Sequence, residues 1–154
     1  PDAHILNSQA VLYGQLGDKQ REEQYYYRAA TDGGWAGAWF NLALAYRRNG
    51  KMKNALESVN KAIDGEMDPP YLVLKAELES AAGSVDEVPA IMAVAWDMFS
   101  DVEHLSEWEL LWYTAGAKLM KDKERLHLAE QEKKNRSAPG KTTYSLDGQL
   151  PDCK

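Results

Sequence analysis

Three histidines, His4, His104 and His127, are the side chains of this sequence best suited to hold a metal or move a proton near neutral pH. They are scattered, and none has a partner histidine, cysteine or carboxylate at a recognised ligand spacing, so no metal site is expected. The lone cysteine, Cys153, is the penultimate residue and can neither close an internal disulfide nor build a cysteine-based metal centre. The phosphate-cradling patterns G-x-x-x-x-G-K-[ST] and G-x-G-x-x-G are absent, as is the G-x-S-x-G turn that presents a nucleophilic serine. The 24 Asp and Glu residues read as a solvated surface rather than an acid–base pair, because charged groups stay exposed unless partnered. No catalytic residue and no cofactor are assigned, and the chain is expected to bind rather than to catalyse.

Binding chemistry is better represented. Phe40, Leu44 and Arg48 stand at i, i+4 and i+8, one stripe of a helix, with Arg47 beside them. Arginine grips carboxylates with two parallel hydrogen bonds, and Phe40 and Leu44 offer apolar contact. The competing reading has the arginine pair simply ending a helix, where cations favour the dipole. Tyr25, Tyr26 and Tyr27 could stack on rings, but packing between helices is the preferred reading for all three, as for the five tryptophans.

Helices must position these groups, and the composition permits a core. A chain of 154 residues with 44% hydrophobic and 27% charged residues has the make-up of one ordinary globular domain. No apolar run approaches the roughly 20 residues that a bilayer span requires, so no membrane partner is expected. A net charge of −6 opposes attraction to nucleic acid. The opening Pro1-Asp2-Ala3-His4 carries no signal-peptide pattern and no initiating methionine, so the chain is read as a segment of a longer protein and is expected to be cytoplasmic.

The strongest pattern is self-similarity. Gly17, Gly50 and Gly83 recur every 33 residues, and so do Ala10, Ala43 and Ala76, then Ala29, Ala62 and Ala95, then Leu6, Trp39 and Leu72. Read as antiparallel helix pairs, each glycine ends a first helix in the left-handed conformation, and each alanine lies where two helices cross closely. Trp39, Leu42, Ala43 and Tyr46, at i, i+3, i+4 and i+7, form one face of a first helix.

Trp39-x-x-Leu42-Ala43-x-x-Tyr46, followed by Gly50, Ala55-x-x-x-Val59, Ala62 and Pro69, resembles the tetratricopeptide signature. Ala43 stands for its glycine, Val59 for its phenylalanine, and Pro69 falls slightly late. The stretch from Tyr27 to Gly33, running into Ala38 to Leu42, is also similar to Sel-like repeats. The resemblance implies an all-α, right-handed α-solenoid: a repeat domain over 1–134 with units at about 3–35, 36–68, 69–101 and 104–134, the last a degenerate pair. It also implies a concave groove lined by first helices, bordered here by His4, Asn7, Val11, Gly37, Phe40, Asn41, Leu44, Arg47 and Arg48. The implied function is a scaffold that holds another protein or peptide carrying acidic and apolar side chains. The alternative is a structural module that packs against its own chain or a copy of itself.

The later units are less regular. Leu74 and Leu78 suit a core better than the in-phase Lys75 and Glu79, which suggests a first helix shifted by one residue in the third unit. Pro89 places the start of its second helix late, after a cap at Ser84 or Asp86. Ser106 with Glu109 makes a capping box, ahead of an apolar stripe at Trp108, Leu111, Trp112, Ala115 and Leu119. A final polar helix is expected over about 122–134, with an irregular tail from 135 to 154.

Overall fold

The computed structural model describes residues 2–138, and the expected tail beyond Ala138 lies outside the described residues. Among the described residues there are eight α-helices, two short 3-10 turns and no strand: α1 Ala3–Gln15, α2 Lys19–Gly33, α3 Ala36–Arg48, α4 Met52–Gly65, α5 Pro69–Ala81, α6 Val88–Met98, α7 Glu107–Leu119 and α8 Lys123–Ser137. The described residues divide into two compact units, residues 2–98 and 99–138. The first is an α-solenoid of three helix pairs, and the second holds α7 and α8.

In the first unit the period is physical. The first helices begin at Ala3, Ala36 and Pro69, 33 residues apart, and Gly17, Gly50 and Gly83 follow them with φ of 81°, 78° and 92°. Each turn closes with the same two backbone bonds. In the first, the Gly17 N–H donates to the Gly14 carbonyl at 3.1 Å and the Asp18 N–H to the Tyr13 carbonyl at 2.9 Å. The same bonds recur at Gly50 with Lys51 and at Gly83 with Ser84, so carbonyls otherwise orphaned at the helix end are satisfied.

The alanine columns are wholly buried at Ala10, Ala43, Ala76, Ala29, Ala62 and Ala95. Leu6 packs with Ala29, Ala30 and Ala38, and Ala10 packs with Tyr26, Leu42 and Ala45; Tyr25 and Trp39 flank both clusters. Close approach matters at the helix ends too, since a Cβ on Gly33 would overlap the Cβ of Ala3.

The one-residue shift expected in α5 does not occur. The helix starts in register at Pro69, Leu72 and Ala76 stay buried, and Leu74 and Leu78 are buried in addition, with α4 and α6 both packed against α5. Pro69 and Pro70 open the helix, where a missing N–H costs nothing. The delayed start of α6 is a 3-10 turn at Val85–Glu87, and Pro89 falls in the first turn of the helix.

In the second unit, Ser106 and Glu109 form the capping box, with the Ser106 N–H donating to Glu109 Oε1 at 2.9 Å and the Glu109 N–H to Ser106 Oγ at 3.1 Å. The expected α7 stripe needs correction: Trp108 and Leu111 face outward, and Leu110, Tyr113 and Ala117 turn inward with Trp112. The Phe99 ring meets Tyr113 edge-on at 5.4 Å, which draws that side of α7 into the core. Helix α8 also runs past the expected residue 134 to Ser137. Arg136 holds its last turn by donating to Glu132 Oε2 at 2.7 Å and to the carbonyls of Val102 at 3.1 Å and Leu105 at 2.6 Å.

Candidate functional site

The face made by the first helices is laced together by side chains about one repeat apart. Asn41 Nδ2 on α3 donates to Asn7 Oδ1 on α1 at 2.9 Å. The Phe40 ring stacks on Tyr71 of α5, centroids 4.8 Å apart and planes at 27°. Arg47 Nη1 donates to Glu77 Oε1 of α5 at 2.7 Å. Arg48 pairs with Glu22 of α2, and Glu23 accepts from Asn49 Nδ2 and Lys51 Nζ, each at 2.7 Å.

The sequence-derived groove residues therefore differ in kind. Val11 is exposed, while Asn7, Asn41 and Leu44 are half-buried. Phe40 was expected on the open side, but it is only 2% exposed, because Tyr71 of the following repeat lies against it. His4 stays exposed, its ring 4.7 Å from Trp35, and Gly37 is buried where a Cβ would strike the same indole. The arginines stand in the last turn of α3, where cations favour the dipole, and each also meets an acid from a neighbouring helix.

Glu22 is the residue that sequence reasoning missed. Its carboxylate is buried, with the residue 3% exposed, between the Arg48 guanidinium and α1, where Gly14 leaves room: a Cβ at Gly14 would overlap Glu22 Oε2. Burial, and then the Glu22 charge, raise the neighbouring Tyr26 hydroxyl above its usual pKa, against the opposing pull of Arg48. Burial first, then Asp68 and Glu66, push the Tyr71 hydroxyl up to about 12. The Glu23 bond raises the Lys51 ammonium likewise. No local pattern marks Glu22, Glu77 or Tyr71, because each finds its partner 26 to 31 residues away.

Elsewhere, Asp101, Glu103 and His104 bring one ligand atom each within 4.8 Å of one another, all exposed on a 3-10 turn. No recognised ligand spacing in the sequence marks this grouping, and all three of its residues face solvent. Tyr25 packs on Tyr13 at 5.0 Å and Tyr26 is core, but Tyr27 is half-exposed, edge-on to Trp39 at 5.9 Å. No helix among the described residues is long and apolar enough to cross a membrane.

Residues 36–64, which take in α3 and nearly all of α4, match the family model of the tetratricopeptide repeat, a unit typical of protein–protein interaction modules. No curated protein matches the chain.

Proposed function

We propose that the first unit holds a segment of a partner protein along the face formed by α1, α3 and α5, and serves as a scaffold rather than an enzyme. The observation that carries this reading is the Asn7–Asn41 pair. One bond between the two amides leaves the Asn41 carbonyl oxygen and an Asn7 N–H group able to meet a partner's backbone, with Val11 and Leu44 beside them for apolar contact. Acidic side chains on the partner would meet Arg48, whose side chain is 54% exposed and whose five N–H donors exceed what Glu22 accepts. At Arg47 they would compete with Glu77.

The test uses the full chain and the partner it recovers from its source cell. Leu44→Asp, and separately Asn41→Ala, should weaken that complex at least tenfold, the effect of about 1.4 kcal/mol, while helicity is unchanged. Undiminished binding by both variants would refute the reading.

A second reading has its own observation. Helix α1 contains no Asp, Glu, Lys or Arg, and its outer ridge of Ile5 and Leu12, continued by Leu16 just past its end, is 60%, 58% and 79% exposed. An uncharged apolar ridge on a chain of charge −6 is where two copies could meet without mutual repulsion. Sedimentation equilibrium would show a dimer lost in Leu12→Asp; a monomer at every concentration removes this reading.

A further inference from the structure

On the side of α3 opposite the first-helix face, a pocket of about 240 Å³ opens between α2 and α4. Its floor is Trp39, Leu42 and Tyr46, Tyr27 forms one wall, and Asn54, Glu57, Ser58 and Lys61 line one side of α4. It shares no residue with the proposed partner groove.

Two observations point to a binding site. Ser58 is a polar residue only 4% exposed, and its hydroxyl has no hydrogen-bond partner among the described residues. A buried hydroxyl left unsatisfied is costly enough that native proteins pair nearly all of them. The second is the state of the aromatic walls: Lys61 Nζ lies over the Trp39 ring, 4.5 Å from its centroid, and has no ion pair among the described residues. The indole face thus already accepts a cation, on an exposed and flexible arm able to withdraw. Glu57 is likewise without an ion pair among the described residues. Tyr46 reports the field there: burial raises its hydroxyl most, followed by Glu23, with Tyr27 and Glu57 adding to the rise and Lys51 opposing it.

We propose that this pocket takes an arginine side chain of a partner protein, which displaces the Lys61 ammonium from Trp39. A planar guanidinium can stack on the indole while its in-plane N–H groups reach the Ser58 hydroxyl, the Glu57 carboxylate and the Asn54 carbonyl oxygen; an ammonium cannot do both. The net charge of −6 favours the approach of such a cation.

The experiment follows the Trp39 indole N–H by NMR in the full chain, titrated with N-acetyl-arginine amide, its citrulline counterpart and free arginine. The expected result is saturable binding of the blocked arginine and at least tenfold weaker binding of citrulline, which keeps the shape and loses the charge. Glu57→Gln should weaken arginine about tenfold, and Lys61→Ala should tighten it. Ser58→Ala should weaken it severalfold without lowering the melting temperature, since the hydroxyl has nothing to lose in the free protein. Equal binding of citrulline, binding of free arginine alone, an unmoved Trp39 signal, or indifference to both Glu57→Gln and Lys61→Ala would each overturn the assignment.

Discussion

At the scale of single residues, two arginines with similar sequence credentials have unequal consequences. Arg48 neutralises a carboxylate that is 5% exposed, whereas Arg28 meets Asp32 at 3.9 Å with both side chains over 40% exposed. Arg48→Ala should therefore cost about 1–3 kcal/mol, the loss expected when a buried charged acceptor is stranded. Arg28→Ala should stay within about 0.5. Urea unfolding of the two variants decides the matter, and equal costs would mean that Glu22 finds solvent when Arg48 is gone. Arg48→Glu would set a second carboxylate against Glu22, and Phe40→Ala would open a core cavity costing about 3–5 kcal/mol. Neither is a clean probe of partner binding, which is why Leu44 and Asn41 are the better positions.

Tyr71 gives a prediction in pH. Its pKa is raised from 10.0 to about 12 in the folded chain, chiefly by burial, so the folded state keeps the proton that the unfolded state gives up. Its contribution to stability is complete below about pH 10 and is lost as pH climbs toward 12. Tyr71→Phe retains an aromatic ring against Phe40 and should soften this alkaline decline, leaving the part due to Tyr26, Tyr46 and Tyr113, which are raised in the same direction. Parallel decline of parent and variant between pH 10 and 12 would contradict the role given to Tyr71.

At the scale of elements, the turn after α7 repeats the device of the three glycine turns without the glycine. The Lys121 N–H donates to the Lys118 carbonyl at 3.2 Å and the Asp122 N–H to the Ala117 carbonyl at 2.9 Å, and Lys121 carries φ of 55°. Asp122 then caps α8 by accepting from the Arg125 N–H at 3.0 Å, as Asp18 caps α2 by accepting from Arg21 at the same distance. A left-handed lysine is strained by roughly 1 kcal/mol relative to glycine, so Lys121→Gly should raise stability by about that amount in thermal unfolding. A loss of stability would show that the turn is held by something other than its backbone. This fourth turn is illegible in the sequence because Lys121 stands where the other three turns carry glycine, whereas the bonding pattern is what persists.

At the scale of the whole molecule, what could be read in advance was whatever depends on local spacing. The glycine and alanine columns, the starts of α1 and α3, and the capping box at Ser106 follow from rules that act within one or two turns of helix. What could not be read depends on how successive repeats meet. Phe40 looked available because its own helix leaves it on an open stripe; Tyr71, from the next repeat, stacks over it. Arg47 and Arg48 looked unpaired for the same reason, their acids lying on α5 and α2. The α7 stripe could be drawn along two adjacent faces, and the aromatic contact with Phe99 selects between them. The chemistry that survives this closing of the core is a polar and apolar face on α1 and α3, with an aromatic pocket on the opposite side of α3.

The most direct test of the central claim is site-specific photocrosslinking of the full chain in its source cell. A benzophenone side chain is placed at Leu44 or Val11 on the first-helix face, at Leu12 on the outer ridge of α1, or at the exposed Gln24 on α2. Positions 44 and 11 are expected to capture one common protein, and position 24 is not. Capture of that protein from position 24 alone, or crosslinking from position 12 only to a second copy of the chain, would contradict the claim.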